Sequence, residues 1–108
     1  MLDVAVQQHP GTVTLCRIEG ELVAREAPIL RRAGLRLARS ESITIDLRGV
    51  TRLDSPGLAA LAGLLRRARL VARRVDLRNV PPLVHARLRA AGFDRLVPIA
   101  AVGEAAAG

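Results

Sequence analysis

Asp54-Ser55-Pro56-Gly57 sets a carboxylate and a hydroxyl beside a proline and a glycine, where an alternating run gives way to a leucine-rich one. Three chemistries suit Ser55 there. It can cap a helix, because a serine oxygen accepts a hydrogen bond from an otherwise unpaired backbone N–H. Pro56 would then take the first helical position, where a missing N–H costs little. Asp54 competes for the same cap. Ser55 can instead be a nucleophile, which needs a base and a group to orient that base. His9 and His85 are the only imidazoles, and no spacing ties either to Ser55. The segment does not spell the Gly-x-Ser-x-Gly elbow of hydrolases. Gly57 and Gly63 form no phosphate-binding loop. These absences argue against an enzyme.

The third chemistry is phosphate acceptance. A phosphoserine adds close to two negative charges at one spot. A helix N-terminus tolerates an anion, so the fold would survive and the surface would change. A partner docked there would meet a bulky dianion beside Asp54. Arg48 and Arg52, near in sequence, would partly neutralise it.

The elements that hold this segment are legible from periodicity. Leu2, Val4 and Val6 alternate with polar or small residues, and Val13 to Cys16, running on toward Ile18, does the same. Two strands joined by the turn Gln8-His9-Pro10-Gly11 predict a hairpin, with Gly20 ending the second. Arg25 to Arg39 has a helical period, with Ala27, Leu30, Gly34, Leu37 and Ala38 on one face. Pro28 puts the helix start near Glu26 or Ala27. Residues 42–47 form the clearest strand. After Ser55, Leu58, Leu61, Ala62 and Leu65 make a buried helical stripe. Arg74-Val75-Asp76-Leu77-Arg78 is the next strand, so residues 42–78 form one βαβ unit with parallel strands. Pro81-Pro82 opens a third helix carrying Val84, Leu88 and Ala91, and Gly92 is placed to end it. Leu96 to Ile99 reads as an edge strand, and residues 100–108 as a mobile tail. The expectation is one α/β domain over residues 1–99, with a central mixed sheet of about four to five strands and helices packed against it.

Composition narrows the function. The chain has 108 residues, enough for one modest core. Cys16, the only cysteine, falls in a strand and is expected to be buried and inert. His9 and His85 have no companion ligands, so neither a metal nor a cofactor is expected. No apolar run reaches the roughly 18–20 residues of a membrane span. Met1-Leu2-Asp3-Val4 has no leader pattern, and a cytoplasmic location is the expectation. Net charge is +7, and all 17 basic residues are arginine. That balance suits composition bias and solvated helix faces, or an anionic partner. Phe93 is the only aromatic residue, so base-stacking platforms are lacking and no nucleic-acid partner is expected.

The stretch from Ile43 to Leu61, with Ile45-Asp46-Leu47 ahead of Asp54-Ser55-Pro56-Gly57-Leu58, resembles the core signature of the STAS domain, in particular of bacterial anti-sigma factor antagonists. Gly20-Glu21-Leu22 is similar to that family's Gly-Glu-Leu loop. Val75 to Val80, and Leu88 with Ala91-Gly92-Phe93, match its later strand and helix. The resemblance spans roughly residues 3–99. It implies a substrate and binder that docks a kinase-like anti-sigma factor while Ser55 is unphosphorylated. An anti-sigma factor serine kinase then phosphorylates Ser55 and releases it. Asp54, Ser55, Pro56, Gly57 and Arg52 would form the docking surface. A STAS subunit supporting the ATPase of a lipid-transport ABC system resembles the same pattern and is the alternative. Two positions depart from the family. Val23 stands where Asp often follows Gly-Glu-Leu, and Pro56 stands where a small residue often follows the serine.

Overall fold

The computed structural model describes residues 1–9 and 12–103. Five strands form one sheet in sequence order: β1 (Leu2–Gln8), β2 (Val13–Leu22), β3 (Ser40–Leu53), β4 (Ala72–Val80) and β5 (Ile99–Ala101). β1 pairs antiparallel to β2 as a hairpin, while β2, β3, β4 and β5 run parallel. Each parallel step is bridged by a helix: α1 (Ala27–Arg36), α2 (Ser55–Val71) and α3 (Pro82–Ala90). The expected mixed α/β domain is therefore a five-stranded sheet with three helices.

All three helices contribute to one core with a single face of the sheet. Ile18, Ile43, Ile45, Leu47 and Leu77 meet Leu30, Leu61, Leu65 and Leu88 there, all fully buried. The other sheet face carries the alternate residues and stays polar. On it Thr44 donates to Asp76 at 2.7 Å, Arg78 donates to Asp76 at 2.8 Å and Asn79 donates to Asp46 at 2.9 Å. Alternation with one apolar side is what a sheet covered on one face requires. At the start of β3, the buried hydroxyls of Thr14 and Ser40 satisfy each other at 2.5 Å.

Several element boundaries differ from the sequence reading. Gly20 does not end β2, which runs on to Leu22. Gly20 has φ +107°, and a Cβ there would lie 2.0 Å from the Met1 carbonyl oxygen. The glycine lets the strand pass β1 closely instead of stopping. β3 extends through Leu53, well past the alternating core of residues 42–47. Register shifts against β2, between Arg17 and Glu19 and between Gly20 and Glu21, break the simple alternation beyond Leu47. α1 ends at Arg36, three residues short of Arg39, and a 3-10 turn (Ala24–Glu26) precedes it. The α2 stripe also includes Leu64 and Ala68, while Leu58 and Ala62 are only half-buried. The stripe is wide because α2 packs on the sheet and beside α1, where Leu64 and Arg67 lie close to Gly34. Gly92 sits in the left-handed region at φ 84° and ends α3 as expected. β5 starts at Ile99 rather than Leu96 and takes in Ala100 and Ala101. Pro10, Gly11 and the end of the expected tail, residues 104–108, lie outside the described residues.

Cys16 is fully buried, and burial pushes its thiol up to about 11, as expected of an inert cysteine. Leu61 is the central anchor of α2, fully buried. Leu61→Ala is expected to cost about 2–5 kcal/mol of folding stability, measured as a lower urea midpoint with an unchanged m-value.

Candidate functional site: the N-terminus of helix α2

Asp54, and not Ser55, caps α2. Its backbone is extended (φ −111°, ψ 177°), and its carbonyl accepts the first helical bond from Leu58 N at 2.9 Å. Oδ1 accepts from Gly57 N at 2.7 Å, and Oδ2 accepts from Ala24 N at 3.1 Å. A serine hydroxyl at the cap could not serve both donors from two separate oxygens, and the carboxylate can. Ser55 thus moves to the first helical position and Pro56 to the second, both exposed. The Asp54 carboxyl is held below the usual carboxylate range, first by the Gly57 N–H and then by Ala24 N–H, with Arg52 and Arg87 adding positive potential.

Gly57 explains why the motif needs a glycine. A Cβ at this position would lie 1.8 Å from the Leu22 carbonyl oxygen. The same oxygen accepts Asp54 N at 3.3 Å. The first turn of α2 is therefore seated directly on the end of β2, with no room for a side chain between them.

Gly20-Glu21-Leu22 builds the adjoining wall. Leu22 fills the core and supplies that carbonyl. Glu21 gathers three cations: Arg52 at 2.9 Å, Arg25 at 3.1 Å and the Met1 ammonium at 3.6 Å. Its carboxyl is held below the usual range, chiefly by the Arg52 hydrogen bond. Val23, where the family often has Asp, is 7% exposed and points into the core. It places no acid at the rim, and the Ala24 N–H behind it is satisfied by Asp54.

Arg52 pairs with Glu21 at 2.9 Å, and its charge acts on Asp54. Arg87 was not legible in the sequence. It sits on α3 and donates to the Leu53 carbonyl at 3.0 Å, one residue before the cap. Nothing in its spacing marks it, since only the packing of α3 brings it to this edge. Arg48 is a different case. Its backbone N–H donates to Asp46 at 2.9 Å on β3. His9 and His85 are not drawn in, and no side chain among the described residues hydrogen-bonds the Ser55 hydroxyl. Among the described residues, no group of three His, Cys, Asp or Glu side chains is placed to hold a metal. The arrangement is an exposed hydroxyl on the first turn of α2, next to a carboxylate that is held by two backbone N–H groups and feels the charges of Arg52 and Arg87.

The family model described as "MlaB, STAS domain" matches residues 4–98. The chain belongs to the STAS domain family. Its fold is similar to that of an anti-sigma factor antagonist from Mycobacterium paratuberculosis, at 23% identity and TM-score 0.77, covering 93% of this chain and 86% of that one. It is also similar to the anti-sigma factor antagonist SpoIIAA in its unphosphorylated form, at 20% identity and TM-score 0.68, covering 90% and 87%. A third similar structure is the Bacillus cell fate determinant SpoIIAA in its phosphorylated form, at 17% identity and TM-score 0.58, covering 90% of each chain. No curated protein sequence matches the chain.

Two outcomes follow from the cap. Gly57→Ala forces the helix off Leu22 and is expected to destabilise by about 1–3 kcal/mol, the range for overpacking a tight site, read from chemical denaturation. Asp54 has a folded pKa below its unfolded value near 3.9. Its stabilisation is whole above about pH 4 and is lost as pH falls through the depressed folded value. Asp54→Asn keeps a capping oxygen but does not titrate. Its urea midpoint is expected to fall less than that of the parent chain between about pH 5 and pH 3. Equal falls would show that Asp54 does not shape the acid limb.

Proposed function

We propose that this chain is an anti-sigma factor antagonist that works by partner switching. In this reading it docks a kinase-like anti-sigma factor through Asp54, Ser55, Pro56, Gly57 and Arg52, and is released when that serine kinase phosphorylates Ser55. The observation that carries the reading is the exposed Ser55 hydroxyl at the first position of α2, next to Asp54, whose carboxylate feels the charges of Arg52 and Arg87. A binder that is switched by phosphate needs an acceptor exposed on a rigid element, so that modification alters the surface without unfolding it. Ser55 meets that need.

The charge balance supports the same reading. Pro56 has no N–H, and Gly57 N is already held by Asp54. A phosphate on Ser55 would therefore be met chiefly by Arg52 and Arg87, with Asp54 opposing it. The dianion would stay at the surface, where it repels an acidic or closely fitted partner. The chain acts here as substrate and binder, not as a catalyst, in the cytoplasm.

A second reading rests on the family model, whose description names MlaB. The same α2 edge would then prop the ATPase of a lipid-transport ABC system with Ser55 unmodified. Pro56, which removes one N–H from the acceptor turn, fits that use as well.

A pull-down from native cytosol with intact-mass analysis separates the two. Partner switching predicts a kinase-like partner and, in part of the sample, the added mass of one phosphate. It also predicts that Ser55→Asp lowers affinity for that partner by about tenfold or more, while Ser55→Ala retains it. Equal affinity for both variants would falsify switching, and recovery of a transporter ATPase would establish the second reading.

A further inference from the structure

The charge on the helical layer is one-sided. α1 carries Arg31, Arg32 and Arg36, and α2 carries Arg66, Arg67 and Arg69. Neither helix contains an Asp or Glu. A bias that replaces Lys with Arg preserves charge, so it does not explain the missing carboxylates. Solvated helices ordinarily mix both signs. None of these six arginines is in an ion pair with a carboxylate among the described residues. Arg67 is partly engaged, donating to the Gly34 carbonyl at 3.4 Å.

Apolar side chains stand among these charges. Leu35 is 76% exposed and Leu70 is 75% exposed. Helical spacing from the buried residues Leu30, Ala33 and Gly34 puts Leu35 on the outer face of α1, between Arg31 and Arg32. Spacing from Leu61, Leu65 and Ala68 puts Leu70 on the outer face of α2, with Arg66 one turn before it. The parallel order of β2, β3 and β4 makes α1 and α2 run back in the same direction. Leu35 and Leu70 therefore lie at the same end of the molecule. At that end an open cleft of about 370 Å³ runs beside Leu70, with Arg39 and Arg73 in its lining.

We propose that the outer face of α1 and α2 binds the surface of an anionic phospholipid bilayer, with the arginines on the headgroup phosphates and Leu35 and Leu70 entering the interface. Cations around protruding leucines are the signature of interfacial attachment. A nucleic-acid duplex would use the arginines alone and leave both leucines in water, and Phe93, the only aromatic, is buried. Glu41 pairs with Arg73 at 3.9 Å at the cleft and leaves the six helical arginines unopposed. The 17 residues of α2 separate this end from Ser55 by about 25 Å. A bilayer held there leaves the Ser55 edge open to a protein partner. The proposal does not depend on phosphorylation of Ser55.

The test is co-sedimentation of the full chain with vesicles of phosphatidylglycerol and phosphatidylcholine, against phosphatidylcholine alone. Expected is binding that rises with the anionic fraction, weakens with salt and is absent on neutral vesicles. Arg32→Glu with Arg66→Glu is expected to weaken binding by about tenfold or more. Leu35→Ser with Leu70→Ser, at exposed positions that leave the core intact, is expected to weaken it by about fivefold. No sedimentation with fully anionic vesicles at low salt overturns the proposal. So does tighter binding to duplex DNA that the leucine pair does not affect. Both results need only the parent chain or variants whose circular dichroism matches it.

Discussion

The carboxylate of Asp54 joins two parts of the chain that are far apart in sequence. One oxygen caps the start of α2 on Gly57 N, and the other holds the Ala24 N–H that leads into α1. This bridge fixes where α2 starts, and the start of α2 fixes where Ser55 points. It also lets the first turn sit against the Leu22 carbonyl, a contact that excludes any side chain at Gly57. The geometry of the exposed hydroxyl is set by backbone groups of β2 and the following turn, and not by the hydroxyl's own bonds.

That dependence shows why the motif is a compact set of residue types. Asp supplies two acceptors, Ser stays free because it is relieved of capping, and Gly permits the close approach. Pro56 holds the backbone in a helical φ without removing an N–H the helix uses. Charge is arranged around the same turn. Glu21 holds Arg52 and Arg25, and Arg87 reaches in from α3, so the surface next to Ser55 is cationic while Asp54 stays ionised.

Much of this was legible in the sequence, and the failures have identifiable causes. Alternation found β1, β3 and β4, and the 3.6-residue period found α2 with Leu61 and Leu65 buried. Those signals come from one-sided burial, which sequence spacing reports directly. Gly20 misled because its positive φ normally marks a turn, while here it serves a close pass of β1 within a continuing strand. Ser55 and Asp54 were both good caps by type. The choice was decided by Ala24 N–H, which lies 30 positions away and leaves no local trace. Arg87 was invisible for the same reason, since one arginine on α3 resembles any other until α3 is packed.

The strand order has a consequence in time. Because β1 to β5 follow one another in space as in sequence, each βα unit can be laid beside the last as the chain is synthesised. The Asp54 bridge and the Gly57 seat need only residues up to α2. Arg87 arrives later, with α3, and is the last cation to reach the Ser55 edge. A nascent or truncated chain that ends before α3 thus offers the hydroxyl on a half-built electrostatic frame.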